Sequence, residues 1–283
     1  MRKFILHNKE KTLSFDLSKN VIVAEPKGLG NKFSLAYLET NSGKRLSNIT
    51  PDFEPIQLPL YFNVNGKNGY ANYKNFSNFL AACGLKPIIL EYQDGITKKF
   101  CEVVFENLPK SEPNKDGEFK EDFTFQRQTY WYEEIEESFE LKSTAADATD
   151  FPLSFPFTFK GLVFKNTHRT NNKFIIAAPV IFRISGEIEN PITLYVDNAI
   201  TGERIGEIEF SINNEDGTEI VIDPTTNKIT QITDDETINA YGFVNHNKQS
   251  FLFVPQGEYI IGCNLSSADA GKIELTIKRY LLD

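Results

Sequence analysis

The chain has 283 residues, 40% of them hydrophobic and 24% charged, a composition of folded globular proteins and a length comfortable for two domains. A formal net charge of −9, with no clustering of Lys and Arg, disfavours specific nucleic-acid binding, because a duplex binder neutralises phosphates with clustered cations. Aromatic residues reach 13%, nearly all Phe and Tyr, and lean the composition toward β-structure.

Cys83, Cys101 and Cys263 are odd in number, widely spaced and without C-x-x-C or Cys/His ligand spacing, so they read as free thiols of a chain folded in a reducing cytoplasm. The basic start Arg2-Lys3 is followed by too short an apolar run for a signal peptide, and no stretch approaches a membrane-spanning helix.

Taken in chain order, the first clear element is Ile56 to Val64, where Ile56, Leu58, Leu60, Phe62 and Val64 alternate with other residues, the mark of a strand with one buried face. Pro59 on its other face argues for an edge or a bulge. A helix is expected over about 69–83: Tyr70, Tyr73, Phe76, Phe79 or Leu80 and Cys83 form an apolar stripe, and Asn72, Lys74, Asn75 and Asn78 fall between. Asn68 can cap its start and Gly84 can end it in the left-handed conformation. Ile88 to Tyr92 and Lys99 to Asn107 read as strands joined by an Asp94-Gly95 hairpin turn. After a turn at Asn114 to Gly117, Phe119, Phe123 and Phe125 open a strand that runs toward Tyr130-Trp131-Tyr132.

The composition then shifts. Glu133, Glu134, Glu136, Glu137 and Glu140 precede a small, polar stretch from Ser143 to Asp150, the best domain boundary in the chain. The division expected is 1–140, a linker over 141–150, and 151–283. The second half lacks a helical pattern. Short strands around Val180–Ile184, Ile192–Val196, Ile208–Ile212, Ile220–Ile222, Lys228–Ile232, Phe251–Val254, Tyr259–Ile261 and Ile273–Ile277 are separated by turn signals, which indicates an antiparallel β-sandwich.

No constellation calls for catalysis. His7, His168 and His246 have no zinc spacing, and Cys83 has no nucleophile context. Gly28-Leu29-Gly30 lacks the third glycine of a dinucleotide loop and reads as a loop needing positive φ. Asn213 to Gly217 would put Ile212 at the first ligand position of a calcium loop, so a hairpin turn is the better reading. Neither cofactor nor metal is expected.

The order of these features resembles the distal tail protein family of siphophages with Gram-positive hosts. The resemblance rests on Arg2-Lys3-Phe4-Ile5, the strand from Ile56, the helix, the block Ile88 to Phe105 and Phe123 to Tyr132 in the first half. In the second it rests on Ala178 to Gly186, Asn190-Pro191, Ile220 to Asp223 and Phe253 to Tyr259. It implies a mainly β protein: an N-terminal β-rich, ring-forming belt domain with one helix, and a C-terminal galectin-like antiparallel β-sandwich. The implied role is that of a non-enzymatic adaptor at the tail tip of the virion, made and assembled in the host cytoplasm. Its implied partners are five further copies in a homo-hexamer, the tail-tube protein, a tail-associated hub protein and receptor-binding or baseplate proteins, with no membrane. The alternative is a carbohydrate-binding module for host cell-wall polysaccharide. Against it, the only tryptophan, Trp131, lies outside the sandwich, leaving Tyr195, Tyr241, Phe243 and Tyr259 as weaker platforms. The polar loops Asn198 to Gly202, Asn213 to Gly217 and Asn245 to Lys248 are the expected partner contacts.

Overall fold

The computed structural model describes residues 2–63, 69–84, 86–112, 119–141, 165–174, 176–188, 191–211, 217–265 and 268–281. The chain is mainly β, and it divides into two compact units: Met1–Glu133 with Leu281–Asp283, and Glu134–Tyr280. From 142 onward the expected linker, with the first residues of the expected second domain, lies outside the described residues, as do Asn68, the turn at 114–117 and Asn190.

The first unit contains β1 (Lys3–His7), β2 (Ser14–Asp16), a single helical turn α1 (Leu17–Asn20), β3 (Ile22–Val23), β4 (Lys32–Thr40), β5 (Gly43–Asp52), β6 (Ile56–Tyr61), α2 (Gly69–Cys83), β7 (Ile88–Gln93), β8 (Lys98–Phe105) and β9 (Lys120–Arg127). Seven of its strands form an antiparallel sheet in the order β2-β1-β7-β8-β9-β6-β3. The alternation read from Ile56 is real: Ile56, Leu58 and Leu60 are buried, and opposite them Phe123 and Phe125 of β9 are buried too. Pro59 is accommodated because that side of β6 is paired only in part, by the two residues of β3 and a Lys27–Gln57 bridge, and its carbonyl accepts from the Ala24 amide.

The aromatic stripe of α2 packs on this sheet. Phe76 is fully buried, with its ring 5.0 Å from Phe123 and 5.4 Å from Phe15, and Tyr73 meets Phe62 at 5.3 Å. Asn72, expected on the polar side, is instead buried, because its Nδ2 donates to the Phe62 carbonyl at 2.7 Å and so satisfies a main-chain oxygen under the helix. Gly84 ends the helix at φ +59°, as its position predicts. The Asp94-Gly95 turn joins β7 to β8, with Gly95 at φ +99°. Backbone hydrogen bonds from Thr97 and Ile96 hold the Asp94 carboxyl at a pKa of about 2.

The chain passes to the second unit within β10 (Tyr132–Leu141), so the acidic run is part of a strand and the strand expected to reach Tyr132 stops at Arg127. There follow β11 (Lys165–Asn172), β12 (Ala178–Ile188), β13 (Ile192–Asn198), β14 (Arg204–Phe210), β15 (Glu219–Asp223), β16 (Lys228–Ile232), β17 (Thr237–Asn239), a 3-10 turn (Tyr241–Phe243), β18 (Phe253–Val254), β19 (Gly257–Leu265) and β20 (Ala268–Tyr280). One sheet of this unit has the order β17-β16-β15-β12-β20-β10 and the other β11-β19-β13-β14. Every second residue points inward: Val180, Phe182 and Ile184 with Ile273, Leu275 and Ile277 from one sheet, and Leu194, Val196, Ile208, Phe210, Ile261 and Cys263 from the other. The result is the antiparallel sandwich read from the sequence.

A charged cluster ties β1, β7 and β8 together. Glu91 is only 2% exposed, and it faces His7 Nε2 at 2.9 Å, Lys98 Nζ at 3.3 Å and the Gln93 side-chain amide. Burial alone would raise its pKa, but the bonds from Gln93 and His7 and the charge of Lys98 hold the carboxyl below its usual value of 4.5. A depressed carboxylate contributes stability that is present above the unfolded pKa and lost as pH falls through the folded one. Glu91→Gln should therefore lower the urea midpoint at neutral pH, and the gap to the parent should close as the pH is taken well below 4.5. A gap independent of pH would contradict this.

Candidate functional site

The segment 32–52 contributes to neither core. Among the described residues β4 and β5 pair only with each other, as a long antiparallel ribbon. Directly opposed residues share a face, as do residues two apart along a strand. The pairs Leu35–Ile49 and Tyr37–Leu46 therefore put four large apolar side chains on one face, with Phe33 at its base. The opposite face carries Ser34, Ala36, Asn48 and Thr50, together with Arg45 and the exposed Leu38. A bulge at Ser47 keeps the alternation aligned on both sides of it.

These apolar side chains are half in water: Leu35 is 50% exposed, Tyr37 52%, Leu46 46% and Ile49 50%. Burying the exposed halves would contribute roughly 1 kcal/mol each. A lone two-stranded hairpin is marginal in water, so this ribbon lacks the burial that normally stabilises such an element.

What holds it is a clamp at its root. Arg127, the last residue of β9, is 4% exposed. It donates from Nη1 to the Gly30 carbonyl at 2.7 Å and from Nη2 to Asn31 Oδ1 at 2.8 Å, just before β4 begins. Its guanidinium also lies 5.7 Å from the ring of Phe53, just after β5 ends, and 5.7 Å from Trp131. Phe53 in turn meets Tyr130 edge-on at 5.0 Å. Trp131 Nε1 donates to the Leu29 carbonyl at 2.7 Å. The Trp131 carbonyl accepts from the Leu281 amide at 2.8 Å, and Asn31 Nδ2 donates to the Leu281 carbonyl at 3.1 Å. Burial pulls the Arg127 pKa down, yet a guanidinium stays cationic at neutral pH.

The Gly28-Leu29-Gly30 segment is thus the ribbon's anchor rather than a phosphate loop. Gly28 sits at φ +73°, and a Cβ there would fall 2.1 Å from the Pro55 carbonyl oxygen. Gly30 has no positive φ; its carbonyl is what the clamp uses. No sequence reading of 32–52 or of Arg127 was available from motifs. The cue was an alternation of Phe33, Leu35 and Tyr37 leading to a turn at Asn41-Ser42-Gly43.

The loops expected to meet partners differ in how their side chains are held. In the turn Asn198 to Gly202, Asn198 Oδ1 accepts from the amides of Ile200 and Thr201, Gly202 lies at φ +73°, and Ile200 is 81% exposed. Asn245 is engaged structurally, donating from Nδ2 to Glu209 at 3.0 Å, while Lys248 reaches Glu207 at 3.0 Å. Because Arg204 pairs with both Glu207 and Asp197, a run of charges links these two loops across one sheet. Asn213 lies outside the described residues, and Gly217 is an exposed turn at φ +80°. Of the aromatic platforms, Tyr195 and Tyr259 are unavailable. Tyr195 is buried beneath Arg204, 3.9 Å from its ring, and Tyr259 belongs to the core. Tyr241 and Phe243 are exposed, and Tyr241 stacks on His246 at 5.5 Å.

Replacing Arg127 with Met should leave the Gly30 carbonyl and Asn31 side chain without their donor, at a cost of about 1–3 kcal/mol. Amide hydrogen exchange should then rise at 28–55 while the strand around Leu90 keeps its protection. Unchanged exchange at 28–55 would show that the root is held by something else.

Comparison with known proteins fits this architecture. The whole chain shares its fold with a chain in the structure of the phage p2 baseplate in its activated conformation with Sr, at TM-score 0.68 and 17% identity, over 100% of this chain and 99% of that one. The SPP1 Dit (gp 19.1) protein, described as a paradigm of the hub adsorption apparatus in Gram-positive-infecting phages, matches at TM-score 0.55 and 9% identity, over 96% of this chain and 98% of that one. No curated protein sequence matches. Residues 3–128 match the family model of the distal tail protein, N-terminal domain, and the resemblance to distal tail proteins read from the sequence is borne out on that stretch, which holds the helix, the ribbon and Arg127 of its clamp.

Proposed function

We propose that this protein is a structural hub of a phage tail tip, in the manner of the distal tail and baseplate proteins it resembles. Its belt domain, residues 1–140, would build a hexameric ring between the tail tube and the tail-associated or receptor-binding proteins. Beyond a linker at 141–150, the galectin-like sandwich of 151–283 would dock another tail-tip protein. It would act in the virion without catalysis, cofactor or metal. The observation that carries this reading is the ribbon, whose apolar face is offered to solvent from a rigidly clamped root. Large exposed apolar faces mark interaction sites, and closure into a ring covers such a face on every copy at once.

The sandwich supports an adaptor role better than a sugar-reading one. Two of its four candidate aromatic platforms are buried, and its exposed Ile200 and the Asp197–Arg204–Glu207–Lys248 run suit a protein surface. The loops at Asn198 to Gly202, Asn213 to Gly217 and Asn245 to Lys248 are the proposed docking sites. Titration of the full chain with host wall polysaccharide would separate the two, since binding lost on Tyr241→Ala would favour the carbohydrate module.

For the ring itself, native mass measurement and negative-stain images of the full chain should show closed six-membered particles. A double variant, Tyr37→Asp with Ile49→Asp, should be folded and monomeric. A parent chain that stays monomeric at its highest soluble concentration, or a double variant that still forms rings, would overturn the reading.

A further inference from the structure

Among the described residues the two most exposed large apolar side chains are Ile96, at 96%, and Ile200, at 81%. Both stand on the same kind of turn. Asp94-Gly95-Ile96-Thr97 joins β7 to β8, and Asn198-Ala199-Ile200-Thr201 leads from β13 toward β14. In the first, Asp94 Oδ1 accepts from the amides of Ile96 at 3.0 Å and Thr97 at 2.8 Å, and Oδ2 accepts from the Thr97 hydroxyl at 2.8 Å. In the second, Asn198 Oδ1 accepts from the Ile200 amide at 2.9 Å and the Thr201 amide at 3.0 Å. A lone apolar residue in water needs no explanation by itself. Here a side chain with little to pack on is carried by a hydrogen-bonded hairpin tip. The backbone under it is fixed before it meets anything, which lowers the ordering cost of binding.

The Ile200 turn belongs to the docking surface already proposed. The Ile96 turn has a different setting. Lys3 of β1, Gln93 of β7 and Lys98 of β8 lie directly opposite one another in register, so they share one face beside the tip. The exposed Arg2 precedes Lys3, and Lys99 follows Lys98. The carboxylates nearby are engaged: Asp94 by its own turn, and Glu91, almost fully buried, by His7, Lys98 and Gln93. The tip of this hairpin is thus an apolar knob beside four cations, on a chain whose total charge is −9.

We infer that this tip is a plug, with Ile96 entering an apolar socket rimmed by carboxylates on a tail protein other than this one. The inference rests on reading the protein as a tail-tip hub, which needs contacts besides those between its own copies. Like charge disfavours the same patch of a second copy as the partner. The chain's own hollows do not match the knob either. The groove at the end of α2 and the hollow beside Tyr241 have apolar residues in their walls, but their only charged lining residues are Lys86 and Lys228. The hollow at β3 is lined by Arg2 itself along with Glu25. The one lined by Glu136, Glu137 and Glu274 is mainly polar and holds Arg183. An acidic partner of different sequence is the occupant the charges favour: the cations steer its approach, and the isoleucine, once desolvated, holds it.

The test titrates the full chain with each of the two neighbours proposed above, the purified tail-tube protein and the purified tail-associated hub protein. One of them should bind the parent chain. Ile96→Asp should weaken that binding about tenfold to a hundredfold, while Ile96→Leu stays close to the parent. Lys3→Glu should slow association and flatten its dependence on salt. Both positions are exposed, so the variants should fold as the parent does, and native mass of Ile96→Asp alone should show the parent's own particles. Parent-like binding by Ile96→Asp would overturn the plug while leaving the hub reading. Loss of self-assembly in Ile96→Asp would make the tip a contact between copies and overturn the plug as well. Binding of the parent to neither neighbour would overturn both.

Discussion

The guanidinium of Arg127 has almost no access to water, yet it sits where both ends of a long ribbon leave the first unit. Burying a cation is unfavourable unless its donors are used. Nη1 and Nη2 are used on one end of the ribbon, through Gly30 and Asn31, while Nε has no partner among the described residues and the flat face of the ion rests near Phe53 at the other end. Trp131 adds a bond to Leu29 on the first side. The ribbon has no core of its own, so its direction and register depend on this root. A flexible tether would leave a sticky hairpin free to pair with any exposed edge. A clamped one presents the same face in the same place on each copy, which a symmetric assembly requires.

Much of the fold was legible because it is governed by side-chain period. The stripe through Tyr73 and Phe76 located α2, and the twofold alternation of Val180, Phe182 and Ile184 or of Ile273, Leu275 and Ile277 located the sandwich strands. Asp94-Gly95 marked its hairpin because glycine takes positive φ without strain. Asn72 misled because polarity was equated with exposure, when a lone carbonyl at Phe62 needed a donor. Tyr195 misled differently. It lies on the outer face of β13, but Gly262 on the neighbouring strand has no side chain, so the ring drops onto the sheet and Arg204 closes over it.

The ribbon was the main feature that sequence reading passed over, and the reason is physical. Phe33, Leu35 and Tyr37 alternate like any half-buried strand, and alternation does not say whether the apolar face meets the chain's own core or another molecule. Likewise Arg127 carries no motif. Its role arises from where β9 ends relative to Gly30 and Phe53, which are far away in sequence. Resemblance supplied the ring as an idea, and the geometry supplies the exposed apolar face on which that proposal rests.

The measurement that bears most directly on this account is amide hydrogen exchange across 32–52 as a function of protein concentration. If the ribbon's apolar face is covered by another copy, its amides should gain protection in step with the rise in mass, while core amides such as those of Phe123 and Leu194 do not change. Exchange over 32–52 that stays fast once large particles have formed would mean that the ribbon is not what joins the copies.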